Sequence, residues 1–245
     1  MTVEFKRKSI VVVIPTYNEA GNIASLVEKL FSLDSNLFVL IVDDNSPDGT
    51  SGIVEKLKDI YPNLCLIKRQ RKLGLGSAYR EGFSYALKQG YDIIVQMDAD
   101  FSHSPYYVPE LVRLLDKYDL VIGSRYIGEG RVVNWPGTRI FLSRWANFFA
   151  RIFLRAPIYD LTSGFKAIRK NVLEATDFLN ITSRGYAFQI EMSLVVLAKG
   201  FNVIEYPIVF QGRKNDKSKM SSSVIGEAFL KVLCLCFKGP CPPRR

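Results

Sequence analysis

Histidine is nearly missing from this chain: His103 is the only one among 245 residues. Cysteine is sparse as well, with four. Cys65 lies in an apolar, strand-like run and reads as a core residue. Cys234, Cys236 and Cys241 lack zinc-site spacing and have no His nearby, so no metal is read there. Lipid attachment is the other use for such thiols. Long apolar runs are also lacking. Lys6, Arg7 and Lys8 precede only Ile10 to Ile14 before Pro15, which is too short for a signal peptide. Nothing approaches the length of a membrane span. The expectation is an intracellular protein, soluble or peripheral. No dense Lys/Arg block interleaved with aromatics occurs, which sets nucleic acid aside as a partner. Linkers, repeats and low-complexity stretches are missing too. One domain over 1–245 is therefore expected, with a core of about 9–225 and a C-terminal helix and tail at 224–245.

What the chain does have is ordinary globular material, 48% hydrophobic and 23% charged, with a net charge of +9. That excess suggests an anionic partner, either a phosphorylated ligand or an anionic membrane surface. Periodicity predicts strands at Ser9–Pro15, Leu37–Val42, Leu64–Ile67, Ile93–Met97 and Leu120–Ile122. Helices are predicted between them at 20–32, 49–60, 75–89 and 106–116. Such alternation implies βαβ units, a mainly parallel central sheet and flanking helices, an α/β fold. After Gly123 the rhythm changes. Residues 124–139 are polar and Gly-rich. A helix follows at 140–155 with a wide aromatic face (Phe141, Trp145, Phe148, Phe149) flanked by Arg139, Arg144, Arg151 and Arg155. A strand at Val203–Phe210, a polar loop at 211–223 and a last apolar helix at 224–237 complete the pattern.

The chemistry concentrates at strand ends. Asp98-Ala99-Asp100 follows the apolar run of the fourth strand. In open α/β sheets, ligands bind outside the carboxyl ends of strands. Two Asp there can face one point and suit a hard divalent cation, which in turn holds a diphosphate. Solvated loop acids are the competing reading. Pro15-Thr16-Tyr17-Asn18-Glu19 closes the first strand; Tyr17 offers a flat face for a base, and Glu19 an acceptor for a base or ribose. A turn capped by Asn18 would look the same. Val42-Asp43-Asp44 closes the second strand, and turn chemistry explains Asn45 to Thr50 but not two adjacent Asp. Leu73-Gly74-Leu75-Gly76 matches neither a dinucleotide fingerprint nor a P-loop.

Taken in order, these motifs resemble those of inverting glycosyltransferases of the GT-A fold. Gly123-Ser124-Arg125-Tyr126, Asp160-Leu161-Thr162-Ser163-Gly164-Phe165, Gly185-Tyr186-Ala187-Phe188-Gln189-Ile190-Glu191 and Ser218-Lys219-Met220 narrow the resemblance to the dolichol-phosphate mannosyltransferase family. It covers residues 9 to 225. It implies transfer of mannose from GDP-mannose to dolichyl or polyprenyl phosphate with inversion. A UDP-glucose-dependent glucosyltransferase with the same lipid acceptor is the alternative; a non-catalytic nucleotide-sugar or lipid-phosphate binding subunit is a third reading. The resemblance also implies donor contacts from Pro15, Tyr17, Glu19, Val42, Asp44 and Ala99. Asp98 and Asp100 would act through Mg²⁺ or Mn²⁺, and Arg125, Arg213 and Lys219 would neutralise phosphates. Arg139 could take the acceptor phosphate or be a solvated helix-start charge.

The chain departs from some relatives. Ser102 stands where certain members carry a metal-holding Gln, and is expected to act only through water. Gln211-Gly212-Arg213 replaces an Asp before the Arg, Asp216 stands where Gly is common, and no membrane helices follow. His103 is expected at the surface or behind the acids rather than as a general base, because a phosphate acceptor is already anionic. The lipid acceptor requires docking on a membrane surface or an integral-membrane partner subunit. That places the chain on the cytosolic face of the endoplasmic reticulum in a eukaryote, or of the plasma membrane in a prokaryote. The helices at 140–155 and 224–237 are the docking candidates.

Overall fold

The computed structural model describes residues 8–34, 36–181, 183 and 185–212. The first strand, β1 (Ile10–Thr16), is apolar on both faces. Val11 and Val13 enter one hydrophobic cluster, while Val12 and Ile14 enter the other. A strand buried on both faces must read as a continuous apolar run, and this one does. Helix α1 (Ile23–Leu33) buries Ile23, Leu26, Val27 and Leu30, one stripe at helical spacing. β2 (Phe38–Asp43), α2 (Thr50–Lys58), β3 (Leu64–Lys68), α3 (Leu75–Gln89) and β4 (Ile93–Gln96) continue the alternation. β1 pairs in parallel with β2 on one side and β4 on the other. α3 lies very close to β1, since a Cβ at Gly82 would stand 2.4 Å from Val13.

α4 (Val108–Leu114) leads to β5 (Leu120–Ser124), then β6 (Arg131–Val133) and α5 (Gly137–Phe153). β7 (Lys166–Arg169), α6 (Lys170–Ala175), α7 (Gly185–Ala198), β8 (Val203–Pro207) and β9 (Val209–Gln211) follow. The seven-stranded sheet runs β3-β2-β1-β4-β7-β5-β8, and β6 and β9 form a separate two-stranded ribbon.

Several elements differ from expectation. β7 was not anticipated, and it runs antiparallel between β4 and β5. Its sequence Lys-Ala-Ile-Arg is short and begins and ends in a cation, so it lacks the look of an interior strand. α7 is likewise unanticipated as a helix. It buries Gln189, Glu191 and Ser193 beside Phe188 and Met192, so polarity shows no helical period. The run at 203–210 divides after Pro207: β8 pairs with β5 and β9 with β6. α2 ends at Lys58, two residues short of the expected 49–60, and Ile60 beyond it is exposed. Cys65 is half-buried rather than a full core residue. The loop at 211–223 beyond Gly212, the helix at 224–237, Arg213, Lys219 and the last three cysteines lie outside the described residues.

Candidate active site at the carboxyl edge of the sheet

Parallel pairing sets the ends of β1, β2 and β4 along one edge, with Thr16 opposite Asp43 and Val13 opposite Gln96. The residues just past those ends therefore gather there. Asp43 and Asp44, indistinguishable in sequence, do separate jobs. Asp43 is fully buried and accepts from Thr16 Oγ1 (2.8 Å), Ser46 N–H (2.9 Å) and the Ser46 and Ser51 hydroxyls (2.6 Å each). Burial pushes its carboxyl up, but those hydrogen bonds outweigh burial and hold it below its ordinary value. Asp44 turns the other way. It accepts from Arg69 Nη1 (2.6 Å) and from the backbone N–H groups of Leu73 (3.1 Å) and Gly74 (2.7 Å). That pins the loop leading into α3. From this loop the Lys72 ammonium sits 3.6 Å from the Tyr17 ring centroid. Glu19 is buried nearby, with its carboxylate accepting from Asn22 Nδ2 at 2.9 Å. Pro15 is half-buried, and Val42 and Ala99 are buried.

Asp98 and Asp100 stand half-buried just past β4. Asp98 Oδ1 accepts from the Tyr79 hydroxyl at 3.2 Å. Asp100 Oδ1 accepts from the Ser102 backbone N–H at 2.9 Å. Ser102, itself buried, thus meets the acid pair through its backbone. His103 is not at the surface: it is buried, its ring stacked on Phe165 with centroids 5.0 Å apart. Its Nδ1 accepts from the Asp98 backbone N–H at 3.3 Å, so the ring proton is on Nε2. Burial pushes its pKa down to about 4, against the pull of Asp100. The 3.7 Å approach of Nδ1 to Asp98 Oδ2 is therefore no ion pair at neutral pH.

Arg125 is buried at the end of β5 and grips Asp160 with two side-chain bonds of 2.7 Å. Burial works against the guanidinium's charge, but Asp160 outweighs it and raises the pKa. Asp160 in turn is held ionised below its ordinary range by Arg125, despite burial. The charge of Arg125 is thus already matched inside the protein, which the sequence did not reveal. Tyr126, Trp135 and Phe210 surround it, with centroids 5.1, 5.7 and 5.3 Å away. Arg139 stacks on Trp135 at 3.9 Å and hydrogen-bonds Tyr186. Its Nε is buried without a partner among the described residues.

Sequence reasoning missed Tyr79 and Lys166. Lys166 is fully buried on β7 and donates to Ser163 O (2.8 Å) and Gln189 Oε1 (2.6 Å). Burial lowers its pKa to about 7, with Asp160 and Asp98 pulling upward. A lysine in a short mixed strand carries no mark of this role. Tyr79 was hidden in an ordinary helical pattern.

Among the described residues, no three His, Cys, Asp or Glu side chains gather to hold a cation. Two hard carboxylates on an open edge instead fit an ion whose remaining ligands are phosphate oxygens and water, as Mg²⁺-type sites commonly are. No described helix is long and apolar enough to cross a membrane.

A mixed, mostly parallel seven-stranded sheet with acids just past β4 is the architecture of a GT-A-like glycosyltransferase. The chain belongs to glycosyl transferase family 2, whose profile matches residues 11–176. It is 44% identical over 226 residues to the polyprenol monophosphomannose synthase of Mycolicibacterium smegmatis, covering 90% of this chain and 84% of that protein. It is 39% identical over 223 residues to the undecaprenyl-phosphate mannosyltransferase of Micrococcus luteus, covering 91% of this chain and 92% of the relative. Among solved structures, a Pyrobaculum calidifontis mannosyltransferase in complex with GDP-Man and Mn²⁺ superposes with a TM-score of 0.67 at 17% identity, covering 98% of this chain and 67% of the other. Glucosyl-3-phosphoglycerate synthase from Mycobacterium tuberculosis, with Mn²⁺ and UDP, gives 0.68 at 19% identity, covering 94% and 80%. At those identities the likeness is one of fold.

Proposed function

We propose that this chain is a polyprenyl-phosphate mannose synthase, transferring mannose from GDP-mannose to the phosphate of a polyprenyl lipid such as dolichyl phosphate. The observation that carries this reading is the acid pair Asp98 and Asp100 at the edge shared by β1, β2 and β4, in a chain 44% identical to a polyprenol monophosphomannose synthase. The nucleoside lies along Pro15, Tyr17, Glu19 and Val42. Asp44 acts there by fixing Arg69 and the loop that carries Lys72. Asp98 and Asp100 would hold Mg²⁺ or Mn²⁺ against the diphosphate, and such an ion offsets the charge growing on the leaving group. Arg213 and Lys219 would supply further cations to those phosphates.

The acceptor phosphate is anionic at neutral pH and attacks the anomeric carbon without a base. The new bond forms between phosphate oxygen and anomeric carbon as the bond to the diphosphate breaks. GDP leaves from the opposite face, and the configuration inverts to β. His103, neutral and engaged by the Asp98 N–H, takes no proton in this step. Arg139, beside Tyr186 and Trp135, would take the acceptor phosphate.

α5 serves the lipid side. Phe141, Trp145, Phe148 and Ile152 share one exposed face, the helix has no acidic residue, and Arg144 and Arg155 are exposed beside it. An apolar face rimmed by cations suits an anionic membrane surface. An integral-membrane partner subunit remains the alternative anchor. The test is transfer of labelled sugar from GDP-mannose or UDP-glucose to polyprenyl phosphate, with Mn²⁺ or with chelator. Lipid-extractable label is expected from GDP-mannose with Mn²⁺ only. Preferential use of UDP-glucose would replace this reading with the glucosyltransferase one.

A further inference from the structure

The Tyr79 side chain is fully buried, yet its hydroxyl reaches Asp98 Oδ1 at 3.2 Å on the open edge. The ring has little freedom. It is near-parallel to Phe188 at 6.0 Å and stacks on Phe83 at 5.7 Å. Its helix, α3, is clamped to β1 at Gly82, where even a methyl group would collide with Val13. A phenol is protonated at neutral pH, so the hydroxyl is the donor in this contact.

Two further walls confine the same carboxylate. A Cβ at Gly164 would lie 3.3 and 3.4 Å from the two Asp98 oxygens, a tight contact that the carboxylate would have to yield to. His103, stacked on Phe165, accepts the Asp98 backbone N–H and fixes the main chain at the base of the side chain. A carboxylate offers about four lone-pair directions. The phenol occupies one of these, on Oδ1.

We propose that Tyr79 is a positioning residue that orients the Asp98 carboxylate toward the cation and diphosphate of the donor. This rests on the reading of Asp98 given under Proposed function. A carboxylate held in advance loses no rotational freedom when the cation binds, whereas a free one does. Partners behind metal ligands typically change metal affinity or activity by about 10–100-fold when removed.

The test is Tyr79→Phe, which keeps the ring and removes the donor. Mn²⁺ binding is followed by electron paramagnetic resonance in the presence of GDP, and GDP binding is measured separately in chelator. Weaker Mn²⁺ binding by about 10-fold or more, with chelator-phase GDP affinity and melting temperature near wild type, is the expected result. A merely packed tyrosine would lower the melting temperature and leave Mn²⁺ binding alone, and that outcome overturns the proposal. Gly164→Ala is the second variant, placing a methyl group 3.3 Å from the Asp98 carboxylate, and should weaken Mn²⁺ binding as well. If both folded variants bind Mn²⁺ as wild type does, Tyr79 has no positioning role, while the function stands. If wild type with GDP binds no Mn²⁺, the cation reading of Asp98 falls, and this inference with it.

Discussion

Under the proposed function, Asp100 is the residue on which the chemistry depends most, and its place past the strand end makes it cheap for the fold to lose. It is half-buried past the end of β4, with the Ser102 N–H as a local partner. Asp100→Ala should lower transfer by about 10²-fold or more, the usual cost of removing a charge contact in the transition state. Circular dichroism should remain unchanged. A folded variant with near-normal, still metal-dependent turnover would remove Asp100 from the site. His103 behaves in the opposite sense. Its pKa is about 4 in the folded chain, against 6.5 for the ordinary side chain. Between those values the unfolded chain binds a proton that the folded one does not, so stability falls as pH drops from 6.5 toward 4. The full span is worth roughly 3 kcal/mol. Chemical denaturation across that range should show the loss, and His103→Phe should flatten it. An equal slope in the variant would assign the loss to other groups. The acid pair was legible because two carboxylates follow an apolar run. The partners were not: Arg69 meets Asp44 from 25 residues away, and Asp160 meets Arg125 from 35. Only folding brings such charges together.

At the scale of elements, α5 inverts the usual pattern of a surface helix. Its buried positions are Asn147 and Ala150, while Phe141, Trp145, Phe148, Ile152 and Phe153 are exposed. Asn147 faces inward because its amide donates to Thr162 Oγ1 at 3.0 Å, beside the Arg125–Asp160 pair. Phe141→Glu with Phe148→Glu should therefore spare the fold. The pair should reduce cosedimentation with anionic liposomes, and added salt should weaken wild-type binding. Transfer to a short, water-soluble polyprenyl phosphate should persist. Unchanged liposome binding by the folded double variant would move the anchor elsewhere. The wide aromatic face of this helix was visible in the sequence, as were five of the strands. β7 and α7 were not. One carries a buried cation and the other a buried amide, acid and hydroxyl, so each hides its interior position behind polar letters.

For the whole molecule, parallel strands deliver the residues past β1, β2 and β4 to one edge, and β7, β5 and the β6–β9 ribbon add the half that carries Arg125, Trp135 and Arg139. The first half could be read from the βα alternation. The second could not, because its antiparallel insertion obeys no repeat. A net charge of +9 on a chain of this size suits a phosphorylated donor, a phosphorylated acceptor and an anionic bilayer at once. The central claim is a single displacement at the anomeric carbon by a lipid phosphate. It is tested most directly by determining the anomeric configuration of the purified glycolipid by nuclear magnetic resonance, after reaction with GDP-mannose and polyprenyl phosphate. A β-linked mannosyl phosphate formed as the first product is expected. An α-linked product, or free mannose without glycolipid, would contradict it.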